Sequence, residues 1–181
     1  MFIMDSVGSR IRKVSPEGII STFAGIVTGG YPGGFSGDGG PAVDAQLETD
    51  DGCNGPGGGM AADVVGDLYF ADTYHNRIRQ IDPNGDINSV AGNGQYAFSG
   101  DGGPLNNARL AEPFSVAFDP AGNLFIADSG NSRVRKVTPD AMIARRKWNV
   151  GFFRRRRTVN RRHSARASGH RRGWPGQYLH S

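Results

Sequence analysis

Cysteine occurs once in this chain, at Cys53. A lone thiol excludes an intrachain disulfide and any cysteine-based metal cage. Histidine is equally scarce before residue 141: His75 stands alone there, and His163, His170 and His180 all lie later. One imidazole cannot build a multi-histidine metal site. No hydrophobic run reaches the length of a membrane span. No signal peptide is visible, which leaves the compartment open. No segment sustains a helical apolar period. Acid disappears after Asp140: residues 1–140 hold nine Lys+Arg against 17 Asp+Glu, while residues 141–181 hold 12 Lys+Arg and no acid. The net charge of +4 therefore averages two unlike parts.

What is present is glycine, 28 residues of it, and repetition. ADTYHNRIRQIDPNG returns as ADSGNSRVRKVTPD, with Asp72 matching Asp128, 56 residues on. An earlier copy, MDSVGSRIRKVSPEG, places Asp5 opposite Asp72. FSGDGGPA (35–42) returns as FSGDGGPL (98–105). A repeat of this length is one supersecondary unit stacked on its neighbours. Within the unit, Arg77 to Ile81, Ile87 to Val90, Ser115 to Phe118 and Leu124 to Ala127 read as short strands. Asp82-Pro83-Asn84-Gly85 and Asp119-Pro120-Ala121-Gly122-Asn123 read as turns between them. Ala91 to Pro104 reads as a glycine-rich loop. Four short antiparallel strands per repeat predict an all-β fold built of propeller blades. The 67-residue spacing from Asp5 to Asp72 exceeds the later one, and the extra residues fall in loops.

SVAFDPAGNLFIADSGNSRVRKV and MAADVVGDLYFADTYHNRIRQI resemble the NHL-repeat family of β-propellers. The appended VAGNG and FSGDGGP phrases resemble its long-repeat variant, common in large, often bacterial, repeat proteins. The resemblance implies a four-stranded blade per repeat and a binding or scaffold role. It also implies an alternative, since a few relatives are lyases holding metal with several His and acidic residues. A propeller closes with about four to eight blades. This chain carries two long units (5–71 and 72–127) and a third that begins at 128, so the expectation is a partial propeller of about two and a half blades over 1–140, a fragment of a longer parent.

Residues 141–181 are expected to form a disordered, basic tail. Two readings of it diverge. One is a nucleic-acid-binding arm that releases counterions from phosphates. The other is a repeat displaced by one base near Ala144 to Arg146. Arg145 through Ser181 can then hide AGNGTWGFSGDGG and the strands that follow it. Trp148 and Trp174 each force a glycine in that hidden frame, where the repeat wants one. The second reading is favoured, and nucleic acid is a partner only if the tail is genuine.

The candidate binding residues recur with the repeat: Asp38 and Asp101 in SGDGG, and Asp72, Asn76, Arg77, Asp128, Asn131 and Arg133 around the strand-to-strand turn. A structural reading competes at each. A carboxylate and an amide can tie down the turn and hold the Arg77 or Arg133 guanidinium. A single Asp among glycines is a poor calcium site, so SGDGG reads first as a tight turn. Arg12, Arg79 and Arg135 read as solvated edge charges. No catalytic residue, metal site or cofactor emerges. The resulting expectation is a non-enzymatic module for an unknown protein or small ligand, without a membrane span, and prone to self-association through open blade edges.

Overall fold

A computed structural model describes residues 1–5, 7–26, 34–49 and 59–146. The chain divides into two compact units, Met1–Trp148 and Asn149–Ser181, and all described residues lie in the first. Cys53, the arginine-rich run and most of the proposed frame-slipped repeat lie outside the described residues.

The sequence periodicity folds as expected, into short antiparallel strands. A first sheet joins β1 (Phe2–Asp5), β2 (Arg10–Val14) and β3 (Ile20–Ala24) in that order. A second contains β4 (Gly40–Pro41), β5 (Met60–Ala62), β6 (Leu68–Asp72), β7 (Arg77–Ile81) and β8 (Asp86–Ala91), in the order β4-β8-β7-β6-β5. A third runs β9 (Pro113–Phe118), β10 (Leu124–Asp128), β11 (Arg133–Val137) and β12 (Ile143–Arg146). No α-helix occurs among the described residues; the only helical pieces are short 3-10 turns. The four strands read from the sequence match β7, β8, β9 and β10 to within two residues at each end. β12 lies past Asp140, so the third blade extends beyond the boundary that composition suggested.

The register repeats with the motif. Asp5 pairs with Arg10, Asp72 with Arg77 and Asp128 with Arg133, each closing the hairpin of its sheet. The residue before each of these arginines has a left-handed backbone: Ser9 (φ 47°), Asn76 (φ 54°) and Ser132 (φ 52°). Short polar side chains tolerate that conformation better than branched ones.

The core lies between the sheets, because each strand shows one apolar face to each neighbour. On β6, Leu68 and Phe70 pack toward the first sheet, against Ile11, Ala24 and Leu47. The alternate residue Ala71 joins Ile78, Leu110, Val116 and Ile126 between the second and third sheets. Each buried Ile or Phe contributes roughly 1.5–3 kcal/mol by leaving water.

The two-residue strand β4 was not legible as a strand. Gly40 and Pro41 pair with Ile87 and Asp86 of β8. Gly39 donates its N–H to the Ile87 carbonyl at 2.8 Å, and Ala42 donates to Gly85 at 2.8 Å. The second copy repeats this on the third sheet, where Gly102 donates to Ile143 at 2.7 Å and Ile143 to Gly103 at 3.3 Å. The glycine-rich segment of one repeat is thus a strap along the outer strand of the next blade.

Candidate functional site

Beneath each strap lies an arginine with no exposure to solvent. Arg79 of β7 meets Asp72 at 3.3 Å, Asp38 at 3.0 Å and the Ser36 carbonyl at 3.1 Å. Arg135 of β11 meets Asp128 at 3.2 Å, Asp101 at 2.7 Å and the Ser99 carbonyl at 3.0 Å. One carboxylate comes from the arginine's own hairpin and the other from the strap of the preceding repeat. Taking a guanidinium out of water costs several kcal/mol unless charge and hydrogen bonds compensate. Two carboxylates and a carbonyl supply that compensation here.

The strap's phenylalanine completes the enclosure. Phe35 lies 4.2 Å from the Arg77 guanidinium and 4.7 Å from that of Arg79. Phe98 repeats the arrangement over Arg133 (4.0 Å) and Arg135 (4.9 Å). Such stacking contributes about 0.5–2 kcal/mol as water is excluded. Glycine is required inside the strap by close approach. A Cβ on Gly100, whose φ is 91°, would sit 2.6 Å from the Ala108 Cα.

These contacts reassign several roles read from the sequence. Arg79 and Arg135 are not solvated edge charges; they are fully buried. Asp72 and Asp128 do not hold Arg77 and Arg133 but the arginines two residues further on. Arg77 donates instead to the Gly92 and Asn93 carbonyls at 3.0 and 3.1 Å, and Arg133 to the Asn131 carbonyl at 2.8 Å. Asp38 and Asp101 do lie in glycine turns, and they are ion-pair partners as well. Asn76 accepts a hydrogen bond from the Glu112 N–H at 2.9 Å, tying two repeats together. Asn131 donates to both Asp128 oxygens and to the Ala97 carbonyl. The candidates thus divide between two repeated clusters rather than one pocket, and Asn76, bonded to Glu112, stands outside the Asp72 cluster, where His75 takes the place of Asn131. The sequence reading missed Arg79, Arg135, Phe35 and Phe98. Their signal was present: the second arginine of each Arg-x-Arg recurs in step with Phe-Ser-Gly-Asp-Gly-Gly.

The two clusters differ at one corner. Asp72 accepts from the Glu48 N–H at 2.8 Å, as Asp128 accepts from the Ala111 N–H at 2.8 Å. His75, in the place of Asn131, sits 3.0 Å from the Asp72 carboxylate and 3.4 Å from that of Glu48. Phe35 meets the His75 ring edge-on at 5.4 Å. A Glu–His pair in the earlier repeat thus stands where the later one has Ala and Asn. Among the described residues no three His, Cys, Asp or Glu side chains converge to hold a metal ion.

The opposite end of the sheets carries the Asx turns. Asp82 accepts from the Asn84 and Asp86 N–H groups at 2.9 and 3.0 Å. Asp119 accepts likewise from Ala121 and Asn123. The backbone bond from Asp86 holds the Asp82 carboxyl below its ordinary range, and that from Asn123 does the same for Asp119. Nearby, Tyr69, Val90, Leu105, Phe118, Leu124 and Val137 contribute to the wall of an apolar groove of about 300 Å³ between the second and third sheets. Burial, with help from Asp63 and Asp67, pushes the Tyr69 hydroxyl up to about 12.

Comparison with known proteins matches this architecture. Residues 110–137 match the family model described as NHL repeat, which bears out the resemblance read from the motifs. Teneurin-1 of Mus musculus is 37% identical over 84 residues, covering 39% of this chain and 3% of that protein. The chain thus spans only a few per cent of the length of that relative. A protein of unknown function from Bacteroides thetaiotaomicron superposes with a TM-score of 0.56 at 23% identity, over 75% of this chain and 31% of that one. An auxiliary nutrient binding protein from Bacteroides ovatus gives 0.52 at 22% identity, over 81% and 35%. The fold is all-β, antiparallel and of propeller type.

Proposed function

We propose that this chain is a non-catalytic binding or scaffold module that recognises a protein partner. The observation that carries this reading is the inward use of its recurring charges. Arg79 and Arg135 each pair with an aspartate of the preceding repeat, and Asp72 and Asp128 each accept a backbone N–H from it. A catalytic reading has no set of residues among those described to carry it, and the lyase alternative draws no support from them. What remains for recognition is surface that differs between repeats. Tyr96 (61% exposed) and Phe114 (47% exposed) lie at the end of the sheets that carries the Asp128–Ser132 turn. Exposed aromatics beside polar groups are the usual anchors of protein interfaces. NHL repeats ordinarily mediate protein interaction, which agrees with this choice of partner.

The test is an array of purified proteins and glycans probed with the wild type and with Tyr96→Ala/Phe114→Ala. Protein spots lost in the double variant, at unchanged thermal stability, support the reading. Binding indifferent to both substitutions, or confined to glycans, contradicts it. No helix among the described residues is long and apolar enough to cross a membrane.

A further inference from the structure

The first sheet carries the same strap-binding chemistry as the other two, yet no strap covers it among the described residues. Arg12 corresponds to Arg79 and Arg135, and Asp5 to Asp72 and Asp128. Arg12 meets Asp5 only at 4.0 Å, with 26% of its side chain exposed, where the other two arginines have none. Ile20 on β3 corresponds to Ile87 and Ile143, which lie directly under a strap. Ile20 is 51% exposed and its counterparts are fully buried. Ile3 corresponds to Phe70 and Ile126, which the core of the preceding repeat covers completely; Ile3 is 38% exposed. Three positions, one charged and two apolar, thus lie open on a single face.

We propose that this face is a binding site for a Phe-Ser-Gly-Asp-Gly-Gly segment of another NHL-type repeat. The two seated straps define how it is held. The segment's aspartate and serine carbonyl meet the Arg12 guanidinium. Its phenylalanine stacks over Arg10 and Arg12, and its first glycine after the aspartate donates to the Ile20 carbonyl. The remaining backbone covers Ile20. The occupant is a strap not already seated on a blade. Both strap copies among the described residues are engaged, Asp38 on Arg79 and Asp101 on Arg135. A second copy of this chain would have to unseat one of these, exposing the partner of a fully buried guanidinium. This site is separate from the aromatic surface proposed above and stands or falls without it.

The experiment uses the whole chain, isotopically labelled for NMR, and a synthetic peptide of the sequence FSGDGGPA. Saturable shifts confined to the Ile20 amide, the Arg12 side chain and their neighbours are expected. Replacing the peptide's aspartate by asparagine, or Arg12→Gln in the protein, weakens binding by about tenfold or more. Ile20→Lys, a change at an exposed position that leaves folding intact, blocks it as well. Absence of saturable shifts overturns the proposal, as does binding indifferent to Arg12 and Ile20. Sedimentation velocity fixes the occupant. A monomer at all concentrations agrees with an unseated partner strap; a dimer that the peptide dissolves overturns that choice in favour of a second copy.

Discussion

Asp101 of the second strap and Arg135 of β11 lie 2.7 Å apart, though they belong to different repeats. Arg135 is fully buried, and Asp101 reaches it from a side chain that keeps 31% of its exposure. The strap therefore delivers charge to the blade from outside. The hairpin's own Asp128 delivers it from within, at zero exposure. The two carboxylates should differ in weight.

Asp128→Ala leaves a buried guanidinium with half its compensation and removes the acceptor of the Ala111 N–H. A loss of about 3–5 kcal/mol is expected in urea unfolding, enough to unfold a marginal domain. Asp101→Ala, at a side chain that is 31% exposed, should cost less, about 1–3 kcal/mol. Equal costs would show that the strap and the hairpin are not distinct supports.

The Glu48–His75 corner can be exchanged for its counterpart in the later repeat. Glu48→Ala and His75→Asn singly are expected to cost about 1–2 kcal/mol each, and the double variant less than their sum. The later repeat holds Asp128 with Ala111 and Asn131, so the double variant has a working precedent in the same molecule. Strict additivity would show that the two side chains do not act together.

Much of this fold was legible in the sequence, because turns and alternation are local properties. Asp82-Pro83-Asn84-Gly85 forms the turn its residues specify, and β7 begins and ends where the pattern does. The straps were not legible. Gly40 and Pro41 make a strand only by pairing with β8 of another repeat, and no local propensity reports a partner distant in sequence. The same holds for the site. Charge patterning placed Arg79 and Arg135 in water, because lone arginines on a strand ordinarily lie there. Only the arrival of Asp38 and Asp101 from outside the blade makes their burial affordable.

Backbone conformation makes a sharper prediction. Gly92 has φ 89°, and a Cβ there would sit 2.4 Å from the Asn76 carbonyl oxygen. Gly102 has φ 81° with nothing within 4 Å. Gly102→Ala is expected to cost about 1–2 kcal/mol from conformation alone, and Gly92→Ala clearly more. Ala141 stands in the turn position that Gly18 and Gly85 fill in the other repeats, with φ 58°. Ala141→Gly should therefore raise stability by about 1 kcal/mol. Thermal melts of the three variants check the order.

Tyr69 makes the protein sensitive to alkali. Its hydroxyl is pushed up to about 12 in the folded chain, above its value near 10 when unfolded. The unfolded state therefore loses the proton first, and stability falls as pH rises from about 10 to about 12. Below pH 10 the residue adds no pH dependence. Absorbance titration at 295 nm should show a late tyrosinate phase that Tyr69→Phe removes. A single phase near 10 for every tyrosine would contradict the burial of this hydroxyl.

Each strap acts by supplying an aspartate to the buried arginine of the next blade. A double-mutant cycle on Asp101 and Arg135 isolates that contribution. Urea unfolding of the wild type, Asp101→Ala, Arg135→Met and the double variant gives the coupling. Asp101→Ala is expected to cost about 1–3 kcal/mol in the wild type and almost nothing once Arg135 is methionine. The same cost in both backgrounds would mean that Asp101 serves only its own glycine turn, and that the strap holds the blade by backbone pairing alone.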